Sequence, residues 1–90
     1  MSYLITPRGE KQAALPKDRV AFSVTELQDM VQGYIEVKEI RDGLLVYDVD
    51  GVLNDKLYNK TATELLRDYD ESFEGFVAGN AVVCERIRVD

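Results

Sequence analysis

The residues best suited to chemistry are two aspartates, Asp48 and Asp50, which follow the apolar run Leu44–Tyr47 and precede Gly51. Two carboxylates at this spacing could act as nucleophile and general acid/base in phosphoryl transfer, or could hold a divalent cation. The sequence contains no histidine, which removes the commonest general base and the usual Ser-His and Cys-His pairs. Any catalysis would therefore depend on Asp, Glu, Lys or Tyr.

The segment around these aspartates resembles the strand-end motif of haloacid-dehalogenase-like phosphatases. The resemblance implies a nucleophile at Asp48, an acid/base at Asp50 and a magnesium ion beside them. That fold needs a parallel sheet with crossover helices, whereas the turn before Leu44 is short enough to demand an antiparallel hairpin. We therefore expect no catalytic residue, no bound metal and no cofactor, and phosphatase activity is the third of the functions considered.

Size and composition narrow the class of protein. The 90 residues predict one domain, 1–90, with a modest core. Acidic residues outnumber basic ones 17 to 11, for a net charge of −6, so direct nucleic-acid binding is disfavoured. No apolar run approaches a membrane span, which predicts a soluble, cytoplasmic protein. The single cysteine, Cys84, lies in an apolar run and is expected to be a buried structural thiol.

The elements that position the aspartates centre on residues 23–49. Ser23 and Glu26 form a capping-box pattern, which predicts that a helix begins there. Gly33 is expected to end that helix in a left-handed conformation. A strand over Tyr34–Ile40 then turns and returns as a strand over Leu44–Val49.

The register of this hairpin decides which side chains share a face. We expect a three-residue loop with Gly43 as its left-handed residue, which places Val37 opposite Tyr47 and Glu36 opposite Asp48. Glu36, Asp48 and Asp50 would then form an exposed acidic face of the sheet. The repulsion between Glu36 and Asp48 could be relieved by Lys38, by a bound cation or by a basic partner surface, and Lys38 with water is the preferred explanation.

The remaining segments complete an α+β fold. Tyr3–Thr6 and Gln12–Leu15 predict a hairpin, and Asn59 or Thr61 is expected to cap a second, short helix. The segment from Val52 to Tyr58 is expected to be extended, and a last strand is expected to run from Phe76 or Val77 towards Val89. The predicted fold class is a small antiparallel or mixed sheet of about 4–5 strands with two helices packed on one face.

Three short segments carry a resemblance to a known family. They are Leu27-Gln28, Val31, Gly33 and Ile35-Glu36, then Asn59, Ala62-Thr63 and Leu65, and finally Gly79-Asn80. Together they resemble the small domain-of-unknown-function family 3846, which occurs in phages, plasmids and other mobile elements. The resemblance implies a genomic setting and no particular reaction.

The preferred function is a non-enzymatic protein-interaction or inhibitor module that binds a basic host-protein surface. Charge complementarity would speed such an encounter. The alternative is a small-ligand, nucleotide-like binder, and a homodimer is compatible with a sheet edge that needs covering. The candidate ligand or partner residues are Tyr34, Glu36, Asp48, Asp50, Tyr58, Asn59 and Asn80.

Overall fold

The computed structural model describes residues 2–88, which form two helices and seven strands. The elements in chain order are β1 (Tyr3–Ile5), β2 (Lys11–Ala13), β3 (Phe22–Ser23), α1 (Val24–Val31), β4 (Ile35–Ile40), β5 (Gly43–Asp48), α2 (Lys60–Tyr69), β6 (Ala81–Cys84) and β7 (Ile87–Arg88). Five strands form an antiparallel sheet in the order β2-β1-β6-β5-β4, and β3 pairs with β7 in parallel. The predicted α+β class is confirmed.

The two helices lie on opposite faces of the five-stranded sheet, so their predicted placement on one face is wrong. Leu45 of β5 packs with Ala62 and Leu66 of α2. Its neighbour Val46 packs with Leu27 of α1 on the other face. The reason is that β5 and β6 are apolar at successive positions, and a strand with that pattern is buried on both faces.

The β4–β5 register differs from the prediction by one residue. Ile40 pairs with Gly43 across a two-residue turn, so Glu36 lies opposite Tyr47 and Asp48 lies opposite Ile35. Gly43 belongs to β5 and has a φ of 142°, and a Cβ there would lie 2.6 Å from the carbonyl oxygen of Cys84. The positive φ beside the turn and the close approach of the neighbouring strand β6 therefore both require this glycine.

Both helix starts follow the predicted capping chemistry. Ser23 and Glu26 form the capping box of α1, and Asn59 caps α2 by accepting a hydrogen bond from the backbone N–H of Ala62. The end of α1 differs from the prediction, because Gln32 rather than Gly33 is left-handed. The second helix has 10 residues and α1 has 8, so α2 is not the short one. Neither helix within residues 2–88 could serve as a transmembrane segment.

The outer parts of the chain agree with the predictions in part. The predicted N-terminal hairpin is β1 paired with β2, and the predicted central strand is β6. The last strand is interrupted between Cys84 and Ile87, and its predicted end at Val89 lies outside the described residues. Residues 49–55 form a succession of turns rather than the extended segment expected from Val52 onward. This change brings the segment after β5 back against the end of that strand.

Candidate functional site

The buried carboxylate of Asp48 is the centre of a polar cluster at the end of β5. Asp48 is 2% exposed, and its Oδ2 atom lies 2.6 Å from the Nζ atom of Lys56. The backbone N–H of Asp50 donates to Oδ1 at 2.9 Å, and the side-chain amide of Asn54 donates to Oδ2 at 3.2 Å. These donors all come from the turns that follow β5, so the carboxylate of Asp48 is bound by residues close to it in sequence.

Lys56 joins three parts of the fold. Besides Asp48, its ammonium group donates to the carbonyl oxygens of Val31 at 2.8 Å and Gln32 at 2.7 Å. Those carbonyls belong to the C-terminal end of α1, where a cation is favoured by the helix dipole. A single ammonium group therefore links the end of α1 and the end of β5 to the turns that follow β5.

The environment of Asp48 keeps the carboxylate ionised. Burial by itself would raise the pKa of Asp48, but hydrogen bonds from Lys56, the Asp50 N–H and Asn54, together with the charge of Lys56, outweigh it. The pKa of Asp48 consequently lies below its ordinary value of 3.8. By contrast, burial raises the pKa of Cys84 to about 11, which agrees with the predicted structural thiol.

Gly33 makes room for this cluster. A Cβ at residue 33 would lie 2.5 Å from the Cγ atom of Asp48 and within 2.7 Å of both carboxylate oxygens. The backbone of Gly33 is not left-handed, so close approach rather than backbone conformation requires the glycine.

Gly33→Ala is expected to lower the free energy of unfolding by about 1–3 kcal/mol, because the added methyl group pushes the carboxylate away from Lys56. Urea unfolding measures the change. Gly75→Ala is the matched control, since its Cβ would meet only the ring of Phe73, at 3.3 Å. In an Asp48→Ala background the cost of Gly33→Ala should shrink. An equal cost in both backgrounds would contradict the proposed contact.

The free energy of unfolding is expected to fall as the pH drops below about 4. The pKa of Asp48 is lower in the folded state than in the unfolded chain. Its stabilising contribution is therefore complete above the unfolded pKa and is lost as the pH falls through the folded pKa. Thermal melts between about pH 7 and about pH 2 should show a shallower acid limb for Asp48→Asn than for the parent. Parallel acid limbs would show that Asp48 does not contribute.

A surface depression of about 590 Å³ lies beside Asp48. Its lining combines amides, carboxylates and one aromatic ring, with no lysine or arginine. The lining residues are Gln28, Asp29, Gln32, Gly33, Tyr34, Asp48, Asp50 and Asn54. This composition favours a neutral or cationic group over a phosphate.

The structure brings together three of the seven predicted site residues, Tyr34, Asp48 and Asp50, all of which line this depression. Tyr58 lies elsewhere, with its ring 5.4 Å from that of Phe76 in an edge-on contact. Asn80 donates to the carbonyl oxygen of Met30 at 3.4 Å and lines a neighbouring depression with Lys56.

Asn59 is a structural residue. It is fully buried, and its side-chain nitrogen donates to the carbonyl oxygens of Ile5 at 3.0 Å and Gly79 at 2.9 Å. Its side-chain oxygen accepts from Ala62 at the start of α2. One amide therefore connects α2 to β1 and to the segment before β6, and it has no free group for a ligand.

The predicted acidic face of Glu36, Asp48 and Asp50 is wrong. With the observed register, Glu36 points to the face that carries Tyr47, and Asp48 is buried on the opposite face beside Ile35. Glu36 pairs with Lys38 instead, at 3.7 Å between Nζ and Oε1. The one-residue shift in register accounts for the error. It places each β4 side chain on the face of β5 opposite to the predicted one.

The residue that sequence reasoning missed is Lys56. It is the only basic residue between Arg41 and Lys60, and that segment contains four aspartates, among them Asp48, Asp50 and Asp55. A lone cation among carboxylates was a signal for an ion pair. The ion pair between Asp48 and Lys56 was not predicted because the segment from Val52 to Tyr58 was expected to be extended, which would carry Lys56 away from Asp48.

The sheet order bears on the phosphatase interpretation. Both strands beside β5 run antiparallel to it, whereas that interpretation needs a parallel sheet around the first aspartate. The predicted antiparallel hairpin is thus confirmed. The oxygens of Asp48 are also engaged by Lys56, Asn54 and the Asp50 N–H.

Comparison with protein-family models, with curated proteins and with solved structures finds no match to this chain.

Proposed function

We propose that this chain is a non-enzymatic interaction protein that binds a basic protein surface through residues 49–58, called here the 49–58 loop. The observation that supports the proposal is an inverted pattern of burial. The chain buries the carboxylate of Asp48 and covers most of its partner Lys56 at the base of the loop, while Leu53 and Leu57 are 82% and 72% exposed. Charged residues are ordinarily the exposed ones and leucines the buried ones.

The exposed apolar side chains of the loop are close in sequence. Five of the ten loop residues are large and apolar, and each is at least 47% exposed: Val49, Val52, Leu53, Leu57 and Tyr58. Single exposed apolar residues are common on protein surfaces, but concentrations of them mark interaction sites. The loop therefore offers several apolar anchors to a partner.

Hydrogen bonds at both ends hold the loop in one conformation. The backbone N–H of Asn54 donates to the carbonyl oxygen of Asp50 at 2.8 Å. The backbone N–H of Lys56 donates to the carbonyl oxygen of Gly51 at 3.0 Å. At the far end, the carbonyl of Leu57 accepts from Gly79 at 2.7 Å. A loop that is already ordered loses little conformational entropy when it binds, which favours affinity.

The charge of the molecule indicates the chemistry of the partner. Asp50 and Asp55 lie within the loop, Asp29 lies beside the adjoining depression, and the net charge is −6. A partner with an apolar pocket rimmed by lysine and arginine would complement this surface and would be steered towards it. The resemblance to a mobile-element family is compatible with a host protein in the cytoplasm as that partner.

The test is quantitative capture of partners from a lysate of the source cell by the parent and by two variants. Leu53→Asp with Leu57→Asp changes the loop, and Leu15→Asp changes a leucine that is 75% exposed on a different segment. We expect a saturable basic partner that binds the parent and the Leu15 variant and is lost from the loop variant. Failure to find a saturable partner, or equal capture by the loop variant, would overturn the proposal.

A second candidate is binding of a small ligand in the depression beside Asp48. Its amides and Tyr34 could pair with and stack on a heterocycle, but the three carboxylates in its lining disfavour the phosphates of a nucleotide. A neutral or cationic heterocycle should raise the melting temperature of the parent more than that of Tyr34→Ala. Equal shifts in the two proteins would exclude this depression as the binding site.

A further inference from the structure

The strand β4 forms an edge of the five-stranded sheet and offers unpaired backbone groups. It is the last strand in the order β2-β1-β6-β5-β4. The carbonyl of Tyr34 accepts from Val49 at 2.9 Å, so Tyr34 turns its backbone groups towards the β5 side. Because these groups alternate in direction along a strand, those of Ile35, Val37 and Glu39 turn outward. An edge of this kind is a template for another strand.

Among two-fold axes placed at the three central residues of β4, the charges favour one register for a second copy of this chain. Two copies of β4 that meet antiparallel about a two-fold axis must pair outward-facing residues with each other. An axis at Glu36 sets two glutamates opposite each other, and an axis at Lys38 sets two lysines opposite each other. An axis at Val37 instead sets Glu36 of each copy opposite Lys38 of the other. Opposite charges in facing positions stabilise a sheet, and like charges destabilise it.

We propose that the protein forms a homodimer in which β4 pairs antiparallel with β4 of a second copy about a two-fold axis at Val37. The two five-stranded sheets then become one continuous sheet. This interface is separate from the 49–58 loop, so the dimer leaves both loops available and presents them in pairs.

The side chains along β4 fit such a contact. Val37 is 40% exposed, and the pairing would cover it with its own copy. Glu36 and Lys38 are partly exposed on one face and already lie 3.7 Å apart, so the dimer would assemble four alternating charges. The carboxylate of Glu39 is held by the hydroxyl of Tyr69 at 3.0 Å, which draws it towards α2. Glu39 shares the face of Leu44, whereas α2 packs on the other face, so this hydrogen bond reaches around the outer edge of β4 and must open when Ile35 of the second copy pairs with Glu39.

The test is the dimer dissociation constant, measured by sedimentation equilibrium at fixed salt. Glu36→Lys should weaken the dimer at least about tenfold, because it replaces two attractive pairs with two repulsive ones. Glu36→Lys combined with Lys38→Glu restores opposite charges in the same register and should recover the affinity to within about threefold. Val37→Pro removes one outward N–H that β5 does not use, and it should abolish the dimer while the circular dichroism spectrum is kept.

Three outcomes would overturn the proposal. The first is a parent protein that stays monomeric up to about 1 mM, a concentration that would detect even a weak interface. The second is a dimer that persists in both Glu36→Lys and Val37→Pro, which would place the interface elsewhere. The third is a charge-swapped variant that remains as weak as Glu36→Lys, which would exclude the register centred on Val37.

Discussion

Replacing Asp48 with alanine should lower the free energy of unfolding by about 3–5 kcal/mol. The substitution leaves the ammonium group of Lys56 in a largely buried position without its carboxylate, and an unpaired buried charge is costly. Because a small domain has only about 5–10 kcal/mol of stability, the variant should be partly unfolded near its working temperature. Urea unfolding followed by circular dichroism measures the change.

The matched control is the exposed ion pair between Arg41 and Asp68, in which the Nε atom lies 3.1 Å from Oδ2. Asp68→Ala should cost less than about 1 kcal/mol, since exposed pairs contribute little. A double-mutant cycle on Asp48 and Lys56 should give a coupling energy above about 2 kcal/mol. Similar costs for Asp48→Ala and Asp68→Ala would show that the buried pair does not hold the fold together.

Asn59→Ala should lower the free energy of unfolding by at least a similar amount, about 3–7 kcal/mol. Loss of the helix cap accounts for about 1 kcal/mol. The remainder arises because the buried carbonyls of Ile5 and Gly79 lose their donor, at about 1–3 kcal/mol each. Thermal and urea unfolding both report this change.

Two further variants separate the roles of the Asn59 side chain. Asn59→Asp keeps an oxygen for the cap but places a carboxylate against two carbonyl oxygens, so it should be at least as destabilising as Asn59→Ala. Asn80→Ala removes only one long hydrogen bond, at 3.4 Å, and should cost less than about 1 kcal/mol. A mild effect of Asn59→Asp would mean that the cap alone accounts for the role of this residue.

Local chemistry predicted much of the fold because its signals lie within a few residues. The capping box at Ser23 and Glu26 needs only those two side chains, and the structure contains it. The apolar run at Ala81–Cys84 predicted a central strand, and β6 is central. The hairpin of β1 and β2 follows from turn residues between two short strands.

Predictions failed where a distant residue decides the outcome. Gly43 was expected to be the left-handed residue of the β4–β5 turn. The structure shows in addition that the carbonyl of Cys84 on the neighbouring strand excludes a side chain there. Gly33 was expected to end α1, but the carboxylate of Asp48 excludes a side chain there as well. Gly33 is required only by the distant carboxylate, whereas Gly43 is required both by its positive φ of 142° next to the turn and by the carbonyl of Cys84.

The candidate site was predicted in part for the same reason. Asp48 and Asp50 were identified from their spacing, and Tyr34 joins them because it follows α1 directly. The burial of Asp48 could not be predicted without the correct register of β4 and β5. The continuous apolar pattern of β5 was, however, a signal that both faces of that strand are covered.

The central position of β6 has a consequence for synthesis on the ribosome. The hairpin β1–β2 and the hairpin β4–β5 touch the same strand from opposite sides, and that strand follows both of them in the chain. Until residues 81–84 leave the exit tunnel, the nascent chain holds two separate hairpins, and isolated hairpins are marginally stable in water. Cooperative folding should therefore be delayed until β6 has emerged and this one short segment joins both halves.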